Sequence, residues 1–295
     1  MNPQSGSGQP GSGRPGSGRP GSARYRRRRR RNRWIAAVVV LLVLVGAGVG
    51  AWWAVTGGPS GPPPFTLDVK PGYTVAEVGN QLGAAPGDIG TTFDSVATSG
   101  KVTSPFQPAG NQSLEGLLGT GDYQVAADET ATELLTDMVH RFDQQAAAAG
   151  LNEASAAKLG MTEYQVVIAA SIVEKEGYYP KNMPKVARVI VNRLNAGMPL
   201  DMTSTVLYSL GQDGGSVTTA DRHKDTPYNT YLHGGLTPTP ICFPSATALR
   251  AAVDPPPGDW LYFTVVSQDG TEAFTDTYTQ MLKNEQKTQQ VLGGK

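Results

Sequence analysis

The stretch Ala170-Ser171-Ile172-Val173-Glu174-Lys175-Glu176-Gly177 carries the strongest signal in the chain. It ends a run of apolar or small residues, 166–173, with two carboxylates. Because a charge is costly to desolvate, a carboxylate at the edge of such a run is either solvated or put to use. A partly desolvated glutamate has a raised pKa and can hold a proton near neutral pH, as a general acid must.

A capping box marks the start of the segment that contains this stretch. Thr162 and Gln165 are spaced as an N-cap residue and its partner three positions on. The pattern predicts a helix from there to about Glu176. Because every residue in 166–173 is apolar or small, a helical wheel does not decide whether Glu174 or Glu176 faces a cleft.

Working outward, the chain from residue 65 mixes strand and helix signals. Phe65, Leu67 and Val69 alternate as in a strand, and Thr74 is placed to cap the helix that follows. The densest run of β-formers is 260–266. Helices are also predicted over 75–82, 89–98, 130–149, 183–194 and 278–291, and a strand over 122–125.

These elements predict an α+β fold in two parts. Residues 65–150 form a small N-terminal module, whose β-α-α shape is common in glycan-binding LysM domains, together with a connecting element. Residues 151–295 form a larger α+β domain, which we expect to be catalytic, with a cleft between the two parts. The strand and helix pattern of the LysM-like module is generic, so the pattern alone does not name it.

The N-terminal region has a different composition. Residues 1–33 are rich in Gly, Ser, Arg and Pro, and are predicted to be disordered because they have little to bury. They end in eight arginines, Arg24, Arg26 to Arg31 and Arg33, and the next 22 residues, 34–55, carry no charge. A helix of that length spans roughly 33 Å, enough for the hydrocarbon of a bilayer. We therefore predict a single-pass transmembrane helix in the cell membrane, with residues 1–33 cytoplasmic and the catalytic domain extracytoplasmic.

This region has two other interpretations. A cleaved signal peptide fits less well, because the apolar run is long and a clear small-x-small cleavage site is lacking. The arginine run could be a nucleic-acid arm, but its place against the apolar span favours topology and contact with anionic lipid. Residues 56–64, rich in Gly and Pro, read as a linker that lifts the next domain off the membrane.

The net charge of +0 hides an asymmetry along the chain. All acidic residues follow Pro64, and beyond the predicted span 15 basic residues face 25 acidic ones. This balance gives no support for binding nucleic acid outside the cell. One cysteine excludes an intramolecular disulfide, and three scattered histidines lack metal-ligand spacing, so neither a metal nor a cofactor is expected.

Several later segments occur in an order that resembles one known family. They are 186–194, Gly197-Met198-Pro199-Leu200, Ser204-Thr205-Val206-Leu207-Tyr208, Pro227-Tyr228-Asn229-Thr230-Tyr231, 235–241 and Leu261-Tyr262-Phe263, preceded by Leu114-Glu115-Gly116. With the Glu176 stretch, they resemble the YceG-like endolytic murein transglycosylases (the MltG family), of an actinobacterial type with a long basic N-terminal tail. The resemblance covers roughly residues 65–290.

The resemblance implies that Glu176 is the catalytic carboxylate of a lyase acting on peptidoglycan in cell-wall biogenesis. The bond cut joins N-acetylmuramic acid (MurNAc) to N-acetylglucosamine (GlcNAc) within nascent glycan strands, and it leaves 1,6-anhydroMurNAc ends. Glu176 serves as acid and then as base, so a second carboxylate is not required. Glycan-polymerising synthases and the septation machinery are the protein partners that the resemblance implies.

The substrate wall is predicted from the same segments. Tyr228 and Tyr231 offer stacking faces for sugar rings, and Asn229 offers donors and an acceptor to an N-acetyl group; a plain turn before a strand is the alternative. Asn192 and Arg193 are more simply read as structural. The remaining predicted substrate-binding residues are Asp201, Thr203 and Thr205.

Three positions depart from the family pattern. Asp201 stands where the family often has Gln, Thr203 where it often has Asp, and Glu272 where a His often precedes x-Phe. These changes bear on substrate positioning, which controls rate strongly. The alternative function is therefore a catalytically weak or inactive glycan-binding scaffold of the cell-wall synthesis machinery.

Overall fold

The computed structural model describes residues 64–177, 179–267 and 269–292. Strand β1 (Phe65–Val69) pairs antiparallel with β2 (Gly121–Val125), and Leu67 lies opposite Tyr123. Helices α1 (Val75–Leu82) and α2 (Ile89–Ala97) lie between these strands in sequence. The alternating residues Leu67 and Val69 are buried, as the period-2 pattern predicted.

Helix α3 (Ala131–Ala148) closes the N-terminal part. Thr130 caps it: the threonine hydroxyl accepts from the Glu133 backbone N–H, and the Glu133 side chain accepts from the Thr130 N–H. The apolar residues of α1, α2, α3 and the two strands form one buried group, which we call the sheet cluster. Phe93 and Leu135 are among its fully buried members.

The next helices surround the Glu176 stretch. Helix α4 (Glu153–Lys158) was not predicted. Helix α5 (Glu163–Glu176) begins at the predicted capping box of Thr162 and Gln165 and ends where predicted. Helix α6 (Met183–Asn195) follows with proline in its first turn, a favoured position since proline has no N–H to leave unsatisfied there.

The C-terminal third contains short elements and one long helix. They are α7 (Thr203–Ser209), α8 (Thr219–Arg222), α9 (Ala246–Val253), β3 (Tyr262–Val265), β4 (Glu272–Thr275) and α10 (Tyr278–Leu292). Strands β3 and β4 pair antiparallel, with Phe263 opposite Phe274. The strand at 260–266 and the closing helix were predicted, whereas α7, α8, α9 and β4 were not.

Helix α5 is the centre of a second buried group, the helical cluster, which α6 and α9 also build. Both clusters draw on both halves of the sequence. Phe142 of α3 belongs to the helical cluster, and Phe243, which precedes α9, belongs to the sheet cluster. Two backbone hydrogen bonds hold Phe243 in the sheet cluster: Gly72 N donates to Phe243 O (2.9 Å), and Phe243 N donates to Tyr73 O (2.7 Å). We call this crossing of side chains between the clusters the exchange. Both clusters lie within one compact unit, Pro62–Lys295, and the division between residues 150 and 151 stays a prediction.

The described part is a mixed helix and strand structure, which confirms the α+β prediction. The predicted disordered tail (1–33), transmembrane helix (34–55) and most of the linker (56–64) lie outside the described residues. Within residues 64–292, apart from the two gaps, no helix is both long and apolar enough to cross a bilayer. The LysM-like assignment of the N-terminal module stays a prediction.

Candidate active site

A cavity of about 580 Å³ lies between α1 and the two helices α5 and α7. It is lined by Thr74, Ala76, Glu77, Asn80, Glu115, Lys175, Glu176, Thr203, Ser204, Leu207, Tyr208, residues 211–215 and Ile241. Helix α1 and Glu115 therefore supply one part of the lining, and α5, α7 and the loop 211–215 supply another. The cavity occupies the place where a cleft was predicted, and Glu176 is part of its lining.

Glu176 is the last residue of α5, and its side chain is partly exposed at the cavity. Its Oε1 accepts a hydrogen bond of 2.9 Å from the backbone N–H of Ser204 in α7. Burial raises the pKa of the Glu176 carboxyl, and the bonds from Ser204 lower it in part. A carboxyl with a raised pKa that still reaches open space can carry a proton to a ligand near neutral pH.

Glu174 forms a structural contact with α9. Its Oε2 accepts a hydrogen bond of 2.9 Å from the backbone N–H of Ser245, the N-cap residue of α9. The Ser245 side chain in turn accepts from the backbone N–H of Ala248. Glu174 thus joins α5 to the start of α9 and is not among the cavity-lining residues described. These contacts settle which of the two glutamates faces the cavity.

Lys175 lies between the two glutamates in sequence and lines the cavity. Its Nζ forms an ion pair of 2.5 Å with Oδ1 of Asp213, in the glycine-rich loop 211–215. Gly211, Gly214 and Gly215 in this loop all have positive φ, and nothing would contact a side chain there. The ion pair therefore ties an open loop to the end of α5.

Glu115 is a second carboxyl in the lining, and only 7% of the residue is exposed. Backbone Val75 N donates to its two oxygens at 3.3 and 3.4 Å, and the Tyr208 hydroxyl lies 3.5 Å from Oε2. Burial raises the pKa of Glu115 to about 8, against the lowering effect of these donors. Gly116 next to it has φ of 74°, and a Cβ there would lie 2.1 Å from Pro240 Cβ, so glycine is needed to bring this segment against residue 240.

Glu272 on β4 is a third carboxyl, and it interacts electrostatically with Glu176. Burial raises its pKa to about 7, and the negative charge of Glu176 adds to the rise. Its Oε2 is buried without a hydrogen bond in the described ranges, and the nearby Asn182 side chain lowers the pKa in part. The carboxyl at this position therefore lies within electrostatic range of Glu176.

The predicted residues of the 201–205 segment divide between cavity and interior. Thr203 lines the cavity, and its hydroxyl lies 3.2 Å from the Tyr231 hydroxyl. Asp201 turns away to an ion pair of 2.9 Å with Arg193, in a left-handed backbone conformation with φ of 53°. Thr205 is fully buried and donates to Met202 O at 2.8 Å.

Asn229 is fully buried, and its amide is used within its own loop. The Nδ2 group donates to the carbonyls of Arg222 (3.0 Å) and Lys224 (2.8 Å), and Oδ1 accepts from Tyr231 N (3.0 Å). Both amide protons are therefore occupied, which leaves none for a substrate. The contact of Asn229 with an N-acetyl group stays a prediction, and in this arrangement its amide protons are satisfied within the loop.

The two tyrosines flanking Asn229 lie outside the described lining of the cavity, but each contacts a residue in it. The Tyr228 ring is 4.9 Å from the Tyr208 ring, and the Tyr231 hydroxyl contacts Thr203. The Arg222 guanidinium lies 5.1 Å from the centre of the Tyr231 ring. Each tyrosine therefore packs against or bonds to a residue that lines the cavity, Tyr228 to Tyr208 and Tyr231 to Thr203.

Asn192 and Arg193 hold the backbone around β3, as the structural interpretation predicted. Asn192 Nδ2 donates to the carbonyls of Gly258 and Trp260, both at 2.9 Å. Arg193, 6% exposed, donates from Nε to Leu261 O at 2.7 Å. Neither side chain is directed to the cavity.

Sequence reasoning missed the site roles of three residues. The cavity position of Glu115 comes from its segment packing on α1, which no local pattern indicates. Ser204 contributes a backbone N–H, which has no side-chain signature. Glu272 was noticed as a departure, but its nearness to Glu176 depends on the β3–β4 hairpin, whose second strand was not predicted.

Comparison with known proteins identifies the family. The model of the YceG-like family matches residues 55–287, most of the chain. A solved structure, that of the yceG-like protein lmo1499 from Listeria monocytogenes, superposes with a TM-score of 0.64 at 29% identity and covers 77% of this chain and 78% of that one. The chain therefore belongs to the YceG-like family, as its motifs predicted.

Three relatives carry the name endolytic murein transglycosylase, two of them from strains of Streptococcus pneumoniae. The protein of Streptococcus pneumoniae R6 is 28% identical over 236 residues, 72% of this chain and 42% of the relative. The protein of Bacillus subtilis 168 is 37% identical over 124 residues, 42% of this chain and 34% of the relative. The matched region thus spans less than half the length of these relatives.

Proposed function

We propose that this protein is an endolytic peptidoglycan transglycosylase that cleaves MurNAc–GlcNAc bonds within glycan strands. The observation that carries the proposal is Glu176: a carboxyl with a raised pKa, at the end of a buried helix, that reaches a cavity large enough for sugar rings. The names of the relatives support the same activity and substrate class.

The proposed reaction needs one carboxyl. Glu176 gives its proton to the glycosidic oxygen as the bond between that oxygen and C1 of MurNAc breaks. The resulting carboxylate then takes the proton of the MurNAc C6 hydroxyl, whose oxygen bonds to C1 and closes the 1,6-anhydro ring. Glu176 ends protonated as it began, and water is not consumed. Ordinary glycosidases instead use a pair of carboxylates.

The other contacts suit this cycle. Ser204 N–H donates to the Glu176 carboxylate and stabilises the form that exists between the two proton transfers. Thr203, supported by Tyr231, offers a hydroxyl to a sugar at the cavity wall. In this proposal Asn229 orders its loop and Asp201 positions Arg193, so the two act on substrate only through their neighbours.

The test is digestion of purified glycan strands by the full-length protein, with mass spectrometry of the ends. We expect 1,6-anhydroMurNAc ends from internal cuts. Glu176→Gln keeps the side-chain shape but cannot transfer the proton, so cleavage should fall about 10²–10⁴-fold. Glu174→Gln is the matched control, because a glutamine oxygen can still accept the Ser245 N–H.

Two results would overturn the assignment. Loss of cleavage in Glu174→Gln with full cleavage in Glu176→Gln would move the acid to the other glutamate. Glycan binding without cleavage by the unmodified protein would support the scaffold alternative, which rests on the departures at Asp201 and Thr203.

We also propose that residues 34–55 anchor the protein in the cell membrane, with the cavity on the extracytoplasmic side, near the synthases and septation machinery that supply its substrate. The arginine run before an uncharged segment supports this orientation. Protease added to intact spheroplasts should remove the C-terminal domain. Protection of that domain, with loss of the tail, would reverse the topology.

A further inference from the structure

The cavity contains a carboxyl that the proposed reaction leaves unused. Glu115 lies in the lining beside residues of α1, whereas Glu176 ends α5. The hydrogen bonds that Glu115 receives from Val75 N and Tyr208 are 3.3–3.5 Å long, at the outer limit for such bonds, and the backbone of Gly116 is a further donor. A buried carboxyl held this loosely keeps bonding capacity for a further partner.

The surroundings favour the neutral form of this carboxyl. No lysine or arginine forms an ion pair with Glu115 among the described residues. Among the described residues, the ionisable groups that interact with it are Glu77, Tyr164, Tyr208 and Cys242, and Lys175, which lines the same cavity, pairs with Asp213. Burial raises the pKa of Glu115 to about 8, so the group carries its proton at neutral pH.

We propose that Glu115 is a substrate-binding residue, which donates a hydrogen bond from its carboxyl O–H to an acetamido carbonyl oxygen of the bound glycan, and that Tyr208 orients it. This inference rests on the proposed function for its substrate class. An acetamido carbonyl is a strong neutral acceptor and occurs on both sugars of the repeat. A protonated carboxyl is a matching donor, and an ionised one would repel the same oxygen.

A purely structural role for Glu115 is the competing explanation. Its oxygens accept from Val75 N, the first residue of α1, and so help to fix this helix. That role improves when the carboxyl ionises, because a charged acceptor forms stronger bonds to N–H donors. Substrate donation is lost when the carboxyl ionises. The two roles therefore predict opposite effects of high pH, which makes pH the deciding variable.

The experiment measures binding of uncrosslinked GlcNAc–MurNAc oligomers between pH 6 and pH 10. The full-length protein carries Glu176→Gln, which stops turnover and removes the titration of Glu176. We expect affinity to fall about 5–20-fold as pH rises through about 8, the loss of one hydrogen bond and its replacement by a repulsive charge. With Glu115→Gln added, a neutral donor persists at every pH, so affinity should stay level.

Tyr208→Phe gives a second variant that tests the positioning role with little risk to folding. The Tyr208 hydroxyl stabilises the charged form and lowers the pKa of Glu115, so its removal should move the fall in affinity to higher pH. Glu272 also titrates near neutral pH, and Glu272→Gln controls for it. An unchanged midpoint in Tyr208→Phe, or an equal fall in affinity with Glu115→Gln, overturns the proposal.

The outcomes separate this inference from the proposed reaction. If the unmodified protein cleaves glycan but the binding affinity does not depend on pH, only the proposed role of Glu115 is rejected. If the unmodified protein does not cleave, but its affinity depends on pH and this dependence requires Glu115, the proposed reaction is rejected and the binding role of Glu115 is kept. Absence of glycan binding at every pH removes both.

Discussion

Helices α1 and α5 both line one cavity, but they are buried in different ways. In α1 the buried residues Val75, Val78 and Leu82 share one face, and Glu77 is left at the cavity. In α5 every residue in 166–173 is buried. An amphipathic helix shows its orientation in its sequence, and an all-apolar helix does not. The helix whose orientation is hidden is the one that ends in the proposed acid.

The largest effect is expected where the clusters exchange side chains. Phe243 follows the cavity-lining Ile241 in sequence but is fully buried in the sheet cluster. Phe243→Ala should lower the free energy of unfolding by about 3–5 kcal/mol, through lost burial and a cavity that neighbours fill only in part. Denaturant unfolding followed by fluorescence and circular dichroism measures the loss.

The same experiment tests whether the clusters are one cooperative unit. We expect a single transition for both probes, since Phe243 and Phe142 each cross between clusters. Leu232→Ala, at a residue that is 47% exposed, is the control and should change stability by less than about 0.5 kcal/mol. Two separate transitions would show that the clusters unfold independently.

A smaller effect is expected at Asp201, beside the helical cluster. Its φ of 53° suits Asp or Asn, and its carboxylate pairs with the buried Arg193. Asp201→Gln, the residue that the family often has, should cost about 1–3 kcal/mol by adding strain and removing the ion pair. Thermal unfolding measures it.

The matched variant separates the two causes. Asp201→Asn tolerates the same φ and loses only the charge, so it should cost less than Asp201→Gln. Equal costs for the two variants would mean that the backbone conformation contributes nothing. A Gln variant as stable as the unmodified protein would contradict both contributions.

The smallest effect concerns the charge beside Glu176. The like charges of Glu272 and Glu176 oppose ionisation of the pair, so Glu272→Gln should let Glu176 lose its proton more easily. A general acid works while protonated, so the pH above which cleavage declines should move lower. The pH profile of anhydro-product formation measures the shift. Glu285→Gln, at an exposed glutamate of α10, should leave the profile in place.

The elements with local signals were predictable from the sequence. The threonine caps at Thr74 and Thr162 lie where predicted, because a capping box is a contact between residues three positions apart. The missed helices α7 and α9 are seven and eight residues long. The N-terminus of α9 depends on Glu174, 71 positions earlier, and such a distant contact leaves no local pattern.

The candidate site was predictable only in part. A carboxylate after a buried run indicated Glu176, and the resemblance chose it over Glu174. The Tyr-Asn-Thr-Tyr segment was expected to contact substrate, but Asn229 forms its hydrogen bonds within the loop. Residue type alone cannot tell a polar side chain that binds a ligand from one that satisfies buried backbone groups. Contacts between residues distant in sequence decide which of the two roles a polar side chain has, and these contacts exist only in the folded chain.

The exchange of Phe243 has a consequence for the order of folding. Its backbone bonds with Gly72 and Tyr73 join positions separated by more than half of the chain. Contacts so distant in sequence form slowly, since a long loop must close before they stabilise anything. During synthesis, which begins at the N-terminus, the sheet cluster therefore stays incomplete until residue 243 has been made. We expect β1 and α9 to gain protection from hydrogen exchange together, late in refolding.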